Sequence, residues 1–272
     1  MGKHATMVVG PAGSGKSTYC YTMAEHGAAV GRSLHVVNLD PAADNFEYEA
    51  AIDVRELVEL EDVMEELNLG PNGALVYCME HLLENLDWLE GEVGGYGDDD
   101  YLVFDCPGQI ELYTHLPTFR DLAQVLQRWG YQVACVNVVD SQFIADPSKF
   151  LSASLVSLCA MLSLELPHIN VLSKMDLLDR TGAVGGDPHL RGRLDSFLDL
   201  QLGDLLGILE EEGESKHARL SRAIGGLLED FNMVSFIPLD ASDPESVEHV
   251  LAQVDASIQY GEDLEPKEPK DM

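Results

Sequence analysis

Positive charge is scarce in this chain. Its 272 residues hold 16 Lys plus Arg against 48 Asp plus Glu, a formal net charge of −32. Gripping nucleic acid or resting on an anionic membrane face takes clustered Lys and Arg that neutralise phosphates. Direct nucleic-acid binding and membrane association are therefore both excluded as expectations. Cysteine is sparse as well. Cys20, Cys78, Cys106, Cys135 and Cys159 form no CxxC pair, and the nine histidines show no zinc-site spacing. Reduced thiols in a cytosolic or nuclear setting are expected, with Cys106 read as a small buried residue rather than a nucleophile. Long hydrophobic runs are missing too. The longest uncharged apolar-rich stretch, 150–164, falls short of the roughly 20 residues that cross a bilayer. Residues 1–10 lack the apolar stretch of a secretory leader. The expected location is the cytoplasm, with shuttling to the nucleus.

What is present is an ordinary core-forming composition, 46% hydrophobic and 24% charged. Short β-branched runs alternate with longer helical patterns, the order of an α/β protein whose mostly parallel sheet is covered by helices on both faces. Strands are predicted at 4–9, 34–39, 101–104, 132–139, 169–172 and 234–238. Between the second and third lies an interval too long for one crossover. It reads as two helices, 54–67 and 74–92, separated by a tight Gly70-Pro71-Asn72-Gly73 turn. We therefore expect one domain over 1–260, with an insertion at 54–92, a helical insertion at 179–232 and an acidic mobile tail at 261–272. Apolar Val247, Val250, Leu251, Val254 and Ile258 mark one face of an amphipathic helix within 244–260. Acidic runs at 61–66 and 98–100 read as solvated faces and loops.

The chemistry begins at Gly10-Pro11-Ala12-Gly13-Ser14-Gly15-Lys16-Ser17, a G-x-x-x-x-G-K-[ST] phosphate loop placed after an apolar strand and before a helix. Glycines let backbone N–H groups face the phosphates, Lys16 adds a cation and Ser17 a magnesium ligand. Gly13, Ser14, Gly15, Lys16, Ser17 and Thr18 form the expected nucleotide-binding set. Asp105-Cys106-Pro107-Gly108-Gln109 follows the third strand, which places Asp105 at a carboxyl end where parallel sheets bind ligands. Asp105 can hold the magnesium shell, Gly108 admits the γ-phosphate, and Gln109 can orient the attacking water. Ser173-Lys174-Met175-Asp176 matches [ST]-K-x-D. There the carboxylate accepts the two N–H donors of guanine, a pair that adenine lacks. Asp40, in Asn38-Leu39-Asp40-Pro41-Ala42, reads either as a second acid at the magnesium site or as an Asp-Pro turn. The strong negative charge does not argue against an anionic ligand, because screening over about 8 Å lets the local pocket decide.

Together these segments and Gly70-Pro71-Asn72 resemble the GPN-loop GTPases, over nearly the whole chain from Gly10 to about Glu265. Within that family the phrases 11–20, 104–116 and 259–269 look most like the third eukaryotic paralogue. The resemblance implies a P-loop NTPase of the SIMIBI type, with GTP/GDP and Mg2+ as ligands. It implies that Lys16, Ser17 and Asp105 serve phosphate and magnesium, that Gln109 and Glu111 set up the water, and that Asp40 is the switch I acid. It also implies that Asn72 reaches into a partner subunit's site. The implied partners are a paralogous GPN-loop GTPase, first the first paralogue, or a second copy of this chain. The implied role is assembly and nuclear import of RNA polymerase II through its subunits. The base-stacking loop departs from the common pattern, with Leu239-Asp240-Ala241 where GTPases often have Ser-Ala. No arginine stands in a catalytic motif, so slow hydrolysis is expected without a partner. A GTP-bound scaffold that scarcely hydrolyses, or a P-loop ATPase or kinase, remains the alternative.

Overall fold

The computed structural model describes residues 2–43, 46–97, 99–180, 216–230 and 234–261. Its centre is a seven-stranded sheet: β1 (Lys3–Val9), β2 (Leu34–Asn38), β3 (Ile52–Asp53), β4 (Tyr101–Asp105), β5 (Tyr131–Asp140), β6 (His168–Ser173) and β7 (Phe236–Pro238). The strands lie in the order β3-β2-β4-β1-β5-β6-β7, and every pairing is parallel. Parallel strands are buried on both faces, and the alternation along each strand divides the core in two. Ala5, Met7 and Val9 of β1, Leu102 and Phe104 of β4, and Val133 and Cys135 of β5 enter one layer. Val8, Tyr101, Val103, Ala134, Val136 and Val138 enter the other.

Helices α1 (Lys16–Ala29) and α10 (Pro244–Ser257) cover the second layer, through Tyr19, Cys20 and Met23 on one and Val247, Val250, Leu251 and Val254 on the other. The first layer takes α3 (Pro71–Glu84), α4 (Leu86–Val93), α5 (Glu111–Thr114), α6 (Thr118–Arg128) and part of α7 (Pro147–Leu164). Of two more helices, α8 (Met175–Arg180) runs into the start of the expected helical insertion and α9 (Lys216–Asp230) falls within it. The rest of that insertion, 181–215 and 231–232, and the tail beyond 261 lie outside the described residues. Among the described residues no helix is long and apolar enough to cross a membrane.

Three expectations need correction, and one strand was missed. β3 was not predicted, because a two-residue strand carries no periodicity to read. The predicted helix 54–67 is a 3-10 turn, Val54–Glu56, followed by α2 (Leu60–Leu67). The predicted helix 74–92 is two helices parted at Asn85. That side chain donates to the carbonyl of His81 at 2.8 Å, a local bond that competes with helix continuation. The Gly70-Pro71-Asn72-Gly73 segment is not a free turn either. The chain reverses at Asn68, in the left-handed region at φ 51°, and Pro71 opens α3 at a position where its missing N–H costs nothing.

Candidate nucleotide site

Apart from Gly70-Pro71-Asn72, the predicted site segments leave the sheet at the carboxyl ends of β1, β2, β4 and β6. β2 and β5 flank the β4–β1 pair on opposite sides, so the connections diverge there and open the crevice expected at a switch point. The phosphate loop fills it. Gly13 and Gly15 hold left-handed φ of 77° and 95°, which turns successive N–H groups inward as an anion nest just ahead of α1. At Gly10 even one methyl group is forbidden, since a Cβ would stand 2.3 Å from the carbonyl oxygen of Val138.

Lys16 is buried at the head of α1, and its ammonium donates to the carbonyl of Pro11 at 3.4 Å, a long bond that leaves it ready for a better acceptor. Gly108 closes over the loop. A Cβ there would meet the Cα of Ala12 at 2.8 Å and the Lys16 ammonium at 3.0 Å, so the segment Asp105 to Gln109 approaches the phosphate loop as only glycine can.

Asp105 is 2% exposed at the end of β4. Burial pushes its carboxyl above the usual carboxylate range, against the pull of hydrogen bonds from Ser17 and Tyr48 and of the Lys16 charge. The Tyr48 hydroxyl donates to Oδ2 at 2.7 Å, while Oδ1 has no protein partner. An orphaned buried carboxylate oxygen beside the Ser17 hydroxyl is the donor set that magnesium takes, since that ion uses one or two protein ligands and completes its shell with phosphate and water. Ser17 and Asp105 therefore fit magnesium, which would neutralise charge on the phosphates. Among the described residues no cluster of three or more His, Cys, Asp or Glu could hold a metal by itself.

Asp40 stands nearby, and its carboxyl is also raised by burial, against a bond from the Ala42 N–H and the Lys16 charge. Asp40 makes a local turn. Oδ1 accepts from the Ala42 N–H at 3.0 Å, which makes the turn, and the side chain faces the same lysine as Asp105. A pH signature follows. An acid raised in the native state binds its proton at higher pH than in the unfolded chain, so protonation stabilises the fold as pH falls through the raised value. Asp105→Asn, which mimics the protonated form, is expected to be more stable than wild type at pH 7, the gap closing as pH falls. Denaturant titrations of both chains between pH 8 and pH 4 check it.

The segment Ser173 to Asp176 is tied to the phosphate loop. Ser173 donates to the carbonyl of Ser14 at 2.6 Å and lies beside Gly15. The Lys174 ammonium donates to the carbonyl of Gly13 at 2.6 Å and to Asp140 at 2.7 Å, while Ser141 donates to the carbonyl of Lys174. Lys174 itself is left-handed at φ 60°. These bonds hold Asp176, in the first turn of α8, at the crevice rim. Asp140 and Ser141 were missed by sequence reading, although they follow β5 as Asp105 follows β4 and the same signal would have found them. Tyr48 was missed because an isolated tyrosine in a loop carries no pattern.

The remaining predicted residues are dispersed. Thr18 is exposed on α1, and Glu111 opens α5 on its exposed side. Leu239 is 2% exposed in the core, with its N–H on Leu172 and its carbonyl on Met175. Its side chain cannot cover a base from there, which supports the departure noted in the sequence. Asn72 is exposed in the first turn of α3, and its Oδ1 accepts from Gln109 Nε2 of the same chain at 2.8 Å. Arg55 is bound to Asp53 and the carbonyl of Ala43 and lies 5.0 Å over the Phe46 ring, so it braces the chain around these residues.

Known proteins are similar to this chain. A family model described as a conserved hypothetical ATP binding protein matches residues 8–260. GPN-loop GTPase 3 of Dictyostelium discoideum is 54% identical over 99% of this chain and 92% of its own. Its counterpart in Mycosarcoma maydis is 49% identical, covering 100% and 97%, and that of Danio rerio 48%, covering 100% and 93%. A crystal structure of a GTPase in apo form from Pyrococcus abyssi is similar with a TM-score of 0.76 at 23% identity, over 93% of this chain and 97% of that one. That likeness speaks for the fold.

Proposed function

The chain belongs to the GPN-loop GTPases, and on that premise we propose that its hydrolysis of GTP depends on magnesium and on pairing with a second GPN-loop subunit. GTP hydrolysis itself is the activity of the family. The observation that carries the reading is the convergence at one sheet edge of Lys16, Asp105 and Gly108 with Ser173 to Asp176, joined through Gly13, Ser14 and Gly15. In this reading the phosphate-loop N–H groups and Lys16 bind the β and γ phosphates. Ser17 and Asp105 hold magnesium, Asp40 adds a second acid, and Gln109 orients the water with Glu111 beside it. Thr18 continues the phosphate-binding turn.

The second subunit is a paralogous GPN-loop GTPase, first the first paralogue, or another copy of this chain. The tip bearing Gly70, Pro71 and Asn72 supports this, since it is exposed together with Leu67 and Leu69. The wider role is the handling of RNA polymerase II subunits on their way from cytoplasm to nucleus, with 1–260 acting as one domain and the acidic tail beyond it. Sedimentation of the chain with and without the first paralogue, in GDP and in a non-hydrolysable GTP analogue, tests the pairing. Equal turnover for dilute single chains and for saturating partner would overturn it.

The name of the matching family model makes base choice the first experiment. Titration calorimetry with GTP, GDP and ATP in magnesium is expected to show guanine-selective binding. Asp176→Asn should weaken GTP about 100-fold, because it turns one acceptor of a bidentate pair into a donor facing a donor. ATP bound as tightly as GTP by the wild-type chain would remove the base-reading step.

A further inference from the structure

Asp105 can serve magnesium only if one of its oxygens faces the ion at a steady angle. The terminal torsion of an aspartate is broad, so its own backbone does not decide which oxygen that is. A second contact has to do so. The Tyr48 hydroxyl donates to Oδ2 at 2.7 Å, a bond closed across 57 residues of sequence, and Oδ1 is left without a protein partner. One oxygen is held and the other is presented.

The tyrosine is mounted to hold still. Its side chain is 7% exposed and lies in the second core layer with Tyr19 and Cys20 of α1 and Val36 of β2. Phe46 stacks on its ring with centroids 4.4 Å apart and planes 7° from parallel, and Arg55 lies over Phe46 in turn. A tyrosine has only two side-chain torsions, so a ring packed on these sides sets the place of its hydroxyl. Asp105 is anchored as well. Its main chain lies between Val8 of β1 and Asn38 of β2, and its carbonyl accepts from the Leu39 N–H at 2.9 Å.

Carboxylates that bind metals are themselves oriented by hydrogen bonds from groups that never touch the ion, and losing such a bond typically costs about 10- to 100-fold in metal affinity. We propose that Tyr48 is a positioning residue for magnesium at the nucleotide site, holding Asp105 by Oδ2 so that Oδ1 meets the shell of the ion. This rests on the reading of Asp105 as a magnesium ligand. Tyr48 stands on the connection from β2 to β3, the same one that carries Asp40. The hydroxyl thus ties that connection to the end of β4.

Equilibrium binding of a non-hydrolysable GTP analogue to the full chain, once in excess EDTA and once in saturating magnesium, tests it without any turnover. Tyr48→Phe removes the hydroxyl and keeps the ring. In that variant the factor by which magnesium tightens the analogue should fall about tenfold, while affinity in EDTA stays within about twofold of wild type and serves as the folding control. Asp105→Asn should lose at least as much of the factor. Adding Tyr48→Phe to Asp105→Asn should cost nothing more, because a residue acting through the Asp105 carboxylate has nothing left to act on. An unchanged factor in Tyr48→Phe, whatever happens in EDTA, or independent losses in the double variant would overturn the proposal. An Asp105→Asn chain that keeps the wild-type factor would instead remove the reading of Asp105, and the inference with it.

Discussion

Gln109→Ala will slow single-turnover GTP hydrolysis by about 100-fold or more while GTP binding stays within about threefold of wild type. The two measurements separate because of where Gln109 stands. Gly108 is the residue that packs on the phosphate loop, with room for no Cβ against Ala12. Gln109 is one step beyond, with its carboxamide on Asn72 and half-buried beside solvent. Ground-state contacts to the nucleotide come from the loop, and the glutamine contributes only where the water attacks, so its loss lowers the rate with little effect on affinity. Single-turnover rates alongside calorimetric affinities check this. A rate unchanged by the substitution would favour the scaffold reading, in which bound GTP is a structural ligand.

Lys16→Ala is expected to have the opposite signature and the larger loss in binding, at least about 100-fold in GTP affinity. Lys16 faces two carboxyls, the buried Asp105 and the half-buried Asp40, and its charge opposes the upward push of burial on both. Without it the phosphates meet the two carboxyls with only the loop N–H groups and magnesium to offset the repulsion. Lys16→Arg should not restore binding. The Lys16 ammonium lies close to Gly108, and a planar guanidinium with its donors fixed in a fork does not reproduce that compact point charge. Calorimetry on both variants with circular dichroism as a folding control decides it. Affinity held within tenfold by either would remove Lys16 from the phosphate site.

Much of the site was legible because its chemistry is local. A phosphate loop, an Asp-x-x-Gly segment after a strand and a Ser-Lys-x-Asp segment after another each carry their geometry in a few consecutive residues. The parallel sheet was legible for the same reason, since β1, β4, β5 and β6 are nearly continuous apolar runs. What failed in the sequence depends on competition between local and distant bonds. Asn85 interrupts a helix whose apolar spacing continues past it, because its amide finds the carbonyl of His81. β3 is two residues long and exists only because Val37 and Asn38 are there to pair with it.

The sequence alone therefore determined the fold class, the order of the ligand-binding segments and the guanine-nucleotide chemistry. Those properties follow from residue type and short spacing, which do not need a partner elsewhere in the chain. Only the tertiary structure decided that Tyr48 holds one oxygen of Asp105 and leaves the other without a protein partner. It decided that Asp140 and Gly13 together anchor Lys174. It also placed Asn72 on Gln109 of its own chain. Each of these joins residues far apart in sequence through a hydrogen bond only a few ångströms long, and no pattern of neighbouring residues records which distant group packing will bring within that reach.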